Sequence, residues 1–270
     1  MTGANGKIGQ KLLPFLLKKK INLIVVTSNV KKAYLIKKKI KYNYTIVDYR
    51  HKEKNPILKS EKKIIIHLSS YHSSLWSLNK LLIKKNNKID KKTFKFLSKN
   101  FIKNIIIISS ISIYGNKKKT ITDFTIPNPD TYYGISKLNT EKFFLRKSKK
   151  NNFNVQIIRL PSVYKIGSSL KYKILEFFIN YKIPIPFSKN FGKKSFLSIK
   201  NFNLMTYQIL IKRKFYRNPI FFSDPNDYKF TTFVQKLYKK KAKFVDLTKF
   251  FNFAKVDYFN SIIIKKKFKK

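Results

Sequence analysis

The chain has no cysteine among its 270 residues. That excludes disulfides and any thiolate metal site. It has three histidines, and without ligand spacing they argue against a zinc site. No apolar run is long enough to span a bilayer; Ile105–Ile108 with its flanks is too short. Met1 leads straight into a glycine turn, which leaves no room for a signal peptide. A cytoplasmic location with no membrane partner is therefore predicted. Acids are scarce too, 12 against 61 Lys and Arg, for a net charge of +49. Such a charge invites a nucleic-acid reading. Arginine is nearly missing, however, with only Arg50, Arg146, Arg159, Arg213 and Arg217. Direct base reading leans on arginine forks, and the lysines run along the whole chain instead of forming one stripe. Together with the abundant Ile, Asn, Phe and Tyr they read as a codon-biased composition. No specific nucleic-acid partner is predicted, only weak, salt-sensitive attraction to polyanions.

What is present suffices for a core. Hydrophobic residues make up 43%, and the length suits one large α/β domain or a domain with a smaller lobe. Apolar runs at Ile21–Val26, Tyr44–Val47, Lys63–Leu68, Asn104–Ser109 and Gln156–Leu160 predict strands. Helical patterns fall at Leu12–Leu17, at residues 74–100 (Leu75, Leu78, Leu82, Phe94, Leu97, Phe101) and at 131–149. Strands that are apolar throughout and alternate with helices predict a doubly wound parallel sheet, with ligands at the carboxyl ends of its strands. A soft boundary near residue 161 divides a dinucleotide-binding part, 1–160, from a substrate lobe, 161–270, partly interleaved with it. The lysine-rich end, Lys265–Lys270, reads as a solvated tail.

Glycine is the most telling scarcity. Of seven glycines, five stand in three short motifs: Gly3, Gly6 and Gly9; Gly115; and Gly134. Glycine is used where backbone turns tightly or approaches a ligand closely. The first motif, Thr-Gly-Ala-Asn-Gly-Lys-Ile-Gly over 2–9, reads as a turn that seats a pyrophosphate at a helix N-terminus. The second runs Ser109-Ser110-Ile111-Ser112-Ile113-Tyr114-Gly115. The third holds Tyr133 and Lys137 at i, i+4, on one face of a helix. An ammonium beside a phenol favours the phenolate and lowers its pKa from about 10 toward neutral. Such a tyrosine can act as general acid or base on a sugar hydroxyl, with a serine holding the same oxygen.

These motifs, with the frame Pro129, Tyr133, Gly134, Ser136, Lys137 and Glu141 and the run Arg159-Leu160-Pro161-Ser162-Val163-Tyr164, resemble the extended short-chain dehydrogenase/reductases of the NAD-dependent epimerase/dehydratase family. The resemblance covers roughly residues 1–200. It implies a Rossmann-like fold with Tyr133, Lys137 and Ser110 as the catalytic set. Tyr133 would take the hydroxyl proton, Lys137 would lower its pKa and hold the nicotinamide ribose, and Ser110 would orient the reacting oxygen. Cofactor contacts would come from Gly3, Asn5, Gly6, Lys7, Ile8, Gly9, Ser28, Asp48, Tyr49, Leu68, Ser69, Tyr133 and Lys137. His67 reads as structural. The family's dehydratases carry an Asp-Glu pair after the hydroxyl residue; Ile111 and Ser112 stand there, so dehydration is not expected.

The implied activity is epimerisation of a nucleotide sugar by an NAD(P)-dependent enzyme. The alternatives are a 4-keto-sugar reductase of the dTDP-4-dehydrorhamnose type and a non-catalytic dinucleotide-binding protein. The implied partner is the nucleotide sugar, with a homodimer as the expected assembly. No acid follows the strand at Ile21–Val26 before Asp48, while Thr27, Ser28, Asn29, Lys31 and Lys32 do, which tilts the choice between NAD and NADP toward NADP. Three departures stand out. Tyr164 is followed by Lys165 where the family commonly has Gly-Pro. Asn201 stands near a customary aspartate. And the strand that should precede the glycine turn is missing before Thr2, which points to a start farther upstream.

Overall fold

The computed structural model describes residues 1–40, 42–49, 63–71, 80–115, 120–164, 170–187, 193–238, 242–246 and 263–264. Helix α1 (Gly9–Lys18) follows the glycine turn and leads to β1 (Ile24–Thr27), α2 (Val30–Ile40), β2 (Thr45–Asp48) and β3 (Ile64–His67). Then come α3 (Leu81–Lys99), β4 (Asn104–Ser110), the short β5 (Thr120–Ile121), α4 (Tyr132–Asn151) and β6 (Asn154–Leu160). The predicted strands and helices of this half are present with shifted ends. The start of the helix predicted over 74–100 lies partly outside the described residues. Helix α2 was not expected from the sequence; it buries Ala33 and packs Ile36 and Ile40 against the core, while Tyr34 and Leu35 face outward.

The main sheet is parallel. β1 pairs with β2, β3 with β4, and β4 with β6. The two parts join through Thr2, which bridges Val26 on one side and His67 on the other. The Thr2 N–H donates to the Ile66 carbonyl at 2.9 Å, and the Val26 N–H donates to the Met1 carbonyl at 2.9 Å. Met1 and Thr2 thus stand in the central strand position, between β1 and β3. Beside Met1 lies a cavity of about 850 Å³, bordered by Ile24, Tyr44, Ile64, Phe96 and Ile102.

Neighbouring residues of the apolar strands face opposite layers, which is why the runs do not alternate with polar residues. Ile66, Ile106 and Ile108 join Leu12, Leu13 and Leu16 of α1 in one core. Ile65, Ile105 and Ile107 join Leu97 of α3 and Phe144 of α4 in the other. This is the doubly wound arrangement. Burying one such isoleucine contributes about 2 kcal/mol before entropy is counted.

The later chain continues through β7 (Ser162–Tyr164), α5 (Leu170–Asn180), β8 (Ile185–Phe187), β9 (Lys194–Ser198) and α6 (Ile199–Lys212). It then runs through β10 (Ile220–Phe221), β11 (Asp227–Tyr228), α7 (Phe230–Tyr238), β12 (Phe244–Asp246) and β13 (Ile263–Ile264). β7, β9 and β11 form a small separate sheet. β10 returns to pair with β6, and α6 supplies Phe202 and Ile209 to the core built on α1. The segment Lys265–Lys270, read as a tail, lies outside the described residues.

Candidate active site

Register alone locates the site. Val47 pairs with Val26, Val26 with Thr2, Thr2 with His67, His67 with Ile107, and Ile107 with Ile157. These residues form one line across the sheet. Immediately past it, at the carboxyl ends, come Asp48, Thr27, Gly3, Leu68 and, three residues beyond Ile107, Ser110. Crevices at the carboxyl ends of parallel strands are where open α/β sheets bind ligands. The dispersed sequence motifs therefore converge on one edge of the sheet.

The glycine turn packs tightly. Gly3 has φ +70°, and a Cβ there would stand 2.6 Å from the Leu68 carbonyl carbon and the Ser69 nitrogen. Only glycine fits that conformation and that space. A Cβ on Gly9 would overlap the Gly3 carbonyl. The Gly6 N–H donates to the Gly3 carbonyl at 3.0 Å and closes the turn. No side chain caps α1 at Ile8; the Gln10, Lys11 and Leu12 N–H groups are bonded within the turn to the Gly6 and Ile8 carbonyls, and the positive end of the helix dipole faces the glycine turn. Asn5 ties the turn to the end of β1, its Nδ2 donating to Thr27 Oγ1 at 3.4 Å and the Asn29 carbonyl at 3.3 Å. The buried Asn5 Oδ1 finds no partner among the described residues. Lys7 and Ser28 are exposed at this edge, and Asp48 and Tyr49 are half-buried at the end of β2. A glycine cradle at the positive end of α1 and the unpartnered Asn5 Oδ1 together fit the diphosphate and ribose of a dinucleotide.

Helix α4 carries the second half. The Gly134 N–H donates to Thr131 Oγ1 at 3.1 Å, which caps the helix start. A Cβ on Gly134 would overlap the Ser112 carbonyl. The helix can therefore lie directly on the 3₁₀ turn Ile111–Tyr114, and this brings Tyr133 to Ser110. The two side chains share a hydrogen bond. Ser110 Oγ also lies 3.0 Å from Ser112 Oγ and accepts from the Ser112 N–H at 3.2 Å. Lys137 is 8% exposed, and its Nζ stands 5.8 Å from the centroid of the Tyr133 ring. Ser110, Tyr133 and Lys137 are thus brought together.

Their electrostatics correct one expectation. The Tyr133 phenol is not lowered toward neutral. Burial raises its pKa, and only the Ser110 hydrogen bond pulls the other way. The reason is where the ammonium points: Lys137 Nζ donates to the Ile108 carbonyl at 3.2 Å. Burial brings the Lys137 pKa down to about 8, against opposing attraction from Asp90 and Glu141.

Arg159, Glu141, Tyr114, His67 and Asn201 stand in or near the motifs quoted above, but their contacts, and the residues Asp90 and Asp224, were not read from the sequence. Arg159 meets Glu141 with two hydrogen bonds, of 3.1 and 2.6 Å, and donates to Tyr114 Oη at 2.5 Å. Each belongs to a different motif, and the i, i+4 step from Lys137 to Glu141 was the available signal. His67 accompanies a buried Asp90, with Nε2 to Oδ1 at 3.1 Å. Asp90 lies on a buried stripe of α3 made of Leu82, Asn86, Asp90, Thr93 and Leu97, and that spacing would have marked it. Asn201, in the customary aspartate's neighbourhood, donates to Asp224 Oδ1 at 2.7 Å. Asp224 also accepts from the Ser198 N–H at 3.0 Å and from Tyr164 Oη at 2.7 Å. A carboxylate is thus present beside Asn201, supplied from a later loop.

Among the described residues no group of acids and histidines could hold a metal ion, and no helix is long and apolar enough to cross a membrane.

Comparison with known proteins agrees with this geometry. The sequence pattern of the NAD dependent epimerase/dehydratase family matches residues 1–176. The UDP-glucose 4-epimerase of Vibrio cholerae is 33% identical over 104 residues, 37% of this chain and 32% of that protein. That match spans about a third of the relative's length. Among solved structures, the UDP-glucuronic acid 4-epimerase of Bacillus cereus in complex with NAD superposes with a TM-score of 0.73 at 18% identity, over 91% of this chain and 85% of that one. The UDP-N-acetylglucosamine 4-epimerase of Bacillus cereus gives 0.70 at 16% identity, over 98% and 86%. At those identities the likeness establishes the Rossmann-type fold.

Proposed function

Because the chain belongs to the NAD dependent epimerase/dehydratase family, we propose that it is an NAD-dependent 4-epimerase of a nucleotide sugar. The observation that carries this reading is the hydrogen bond between Ser110 and Tyr133, with Lys137 buried beside it, at the strand ends that also hold the glycine turn. The relatives named above act on UDP sugars, which makes a UDP sugar the first substrate to try. The NAD of the Bacillus cereus complex favours NAD over the NADP toward which the residues after β1 lean.

The residues take the following roles. Gly3, Gly6 and Gly9 with the positive end of α1 hold the diphosphate. Bound NAD would supply a hydride acceptor that can also return the hydride. Tyr133 Oη takes the proton from the sugar's C4 hydroxyl and later gives it back. Ser110 Oγ donates to the same oxygen and fixes its place. Lys137 stabilises the phenolate once its ammonium leaves the Ile108 carbonyl and faces the phenol oxygen. Ile111 and Ser112, where an acid pair would be needed for loss of water, leave the chemistry at oxidation and reduction.

The test is direct. Protein and NAD are incubated with UDP-glucose, UDP-N-acetylglucosamine and UDP-glucuronic acid, and the C4 epimers are followed by proton NMR. Epimer formation without net consumption of cofactor is expected. Turnover only of a 4-keto sugar with a reduced cofactor would replace this reading by the reductase. Dinucleotide binding with neither reaction would replace it by the non-catalytic alternative.

A further inference from the structure

Asp90 has no part in the chemistry described so far. It is a carboxylate 2% exposed, on the stripe of α3 that packs against α4. Both of its oxygens are held. Thr140 Oγ1 donates to Oδ2 at 2.6 Å, and His67 Nε2 lies 3.1 Å from Oδ1. A series of polar contacts runs behind His67. The Ser69 N–H donates to Thr2 Oγ1 at 3.4 Å, and the Thr2 hydroxyl lies 2.8 Å from His67 Nδ1. The His67 ring thus spans from the Thr2 hydroxyl at Nδ1 to the Asp90 carboxylate at Nε2. Thr93 Oγ1, at 3.4 Å, adds a longer contact to Nδ1.

On α4 the same stripe grips both sides of Lys137. Asn86 Nδ2 donates to Ser136 Oγ at 2.8 Å, one residue before Lys137. Asp90 takes Thr140, three residues after it. The groups facing Lys137 are then Tyr133 and Glu141 from its own helix, Asp90 from α3, the Ile108 carbonyl from β4, and Arg159 of β6 through Glu141. Glu141 is committed, because both its oxygens are bonded by the Arg159 guanidinium. Asp90 is held by the His67 imidazole and the Thr140 hydroxyl, and among the described residues no lysine or arginine stands within ion-pair distance of it. A buried carboxylate without a compensating charge is costly. Asp90 and Glu141 both favour the charged form of the buried Lys137.

We propose that Asp90 is a positioning residue for Lys137: a counter-charge, fixed in place by His67 and Thr140, that keeps Lys137 an ammonium beside Tyr133. The proposal rests on the catalytic reading of Tyr133 and Lys137 given above. It also links the glycine turn, through Thr2 and His67, to the helix that carries the proton chemistry.

The test is Asp90→Asn, which keeps the shape and removes the charge, with Asp90→Glu as the charge-restoring partner. Two quantities are read in the full chain. One is the pH profile of kcat and KM with UDP-glucose and NAD. The other is the pH midpoint for acylation of the Lys137 amine, followed by peptide mass spectrometry without cofactor or substrate. Wild type is expected to show a Lys137 midpoint near pH 8. In Asp90→Asn the midpoint and the alkaline limb of kcat both move about one pH unit lower. At pH 8 the charged fraction then drops from about one half to about one eleventh and kcat falls about 5-fold, approaching 10-fold at higher pH. KM stays within about two-fold, and Asp90→Glu recovers most of the shift. Should Asp90→Asn fail to fold, the neutral, hydroxyl-bearing Asp90→Thr carries the same expectation. A uniform loss of kcat with an unmoved Lys137 midpoint overturns the proposal and leaves Asp90 a packing residue. If wild type epimerises nothing but the Lys137 midpoint still shifts, the charge link stands and the catalytic reading falls.

Discussion

Lys137 Nζ donates to the Ile108 carbonyl at 3.2 Å, while the ring centroid of Tyr133 stands 5.8 Å away. The ammonium and the phenol share a helix face without sharing a hydrogen bond. The ligand-free phenol therefore takes its pKa from burial, above the usual value. The difference in ultraviolet absorbance between wild type and Tyr133→Phe, followed through a pH titration, isolates this one phenol. Its midpoint should lie above 10, the ordinary value for tyrosine. A midpoint near neutral in ligand-free protein would mean that the lysine already acts on the phenol oxygen.

Tyr133→Phe removes the proton-transferring oxygen and little else. General acid–base groups contribute about 10²–10⁴-fold in rate. Epimerisation should fall by that range, with NAD affinity within about two-fold of wild type. An unchanged rate would remove Tyr133 from the mechanism.

The pair Glu141 and Arg159 is buried, with side chains 3% and 11% exposed. Removing one partner of such a pair leaves an uncompensated buried charge, at a cost of about 3–5 kcal/mol. Glu141→Gln should lower the stability to urea by that order. Glu141→Leu combined with Arg159→Met should lose less, although it removes both charges. If the double variant loses more than Glu141→Gln, the pair itself, not the stranded guanidinium, is what matters.

Much of this arrangement was legible in the sequence because its parts are local. The turn at Gly3–Gly9, the helix with Tyr133 and Lys137, and the apolar strands each follow from spacing within a few residues. Helix α2 was not read, since its inward stripe of Val30, Ala33, Ile36 and Ile40 is interrupted by lysines and by the outward Tyr34 and Leu35. Where the Lys137 ammonium points was not legible either, because the carbonyl it meets lies 29 residues earlier. The same holds for Asp224, which takes Asn201 from 23 residues away and Tyr164 from 60. A local pattern shows that a polar group is needed. It does not show which distant element supplies it.

Gly3 and Gly9 make the cradle by what they lack. The φ of Gly3 is +70°, and a Cβ there would meet the Leu68 carbonyl carbon and the Ser69 nitrogen, each at 2.6 Å. Gly3→Ala must therefore push the turn away from β3. Gly9→Ala must push α1 away from the Gly3 carbonyl. Either change moves the positive end of the helix from the diphosphate it would hold. Calorimetry with NAD should show each variant binding at least about 10-fold more weakly, a loss of about 1.4 kcal/mol. Unchanged affinity in both would place the dinucleotide elsewhere.

At Met1 the ammonium is buried, donates to the Ile24 carbonyl at 2.5 Å, and has its pKa pushed down from 8.0 to about 5 by desolvation. The folded state therefore favours the neutral amine, and between those two values the unfolded chain binds more protons. Stability must then rise with pH across the window, fully present above pH 8 and lost as pH falls toward 5. Three units of pKa correspond to about 4 kcal/mol. In a chain whose amine at Met1 is free, urea denaturation from pH 5 to pH 8 should show a slope of that sign. Acetylating the amine removes the titrating group. The acetylated chain should lose this part of the slope and be the more stable of the two at pH 5. Equal slopes in the two forms would show that the amine reaches water in the folded protein.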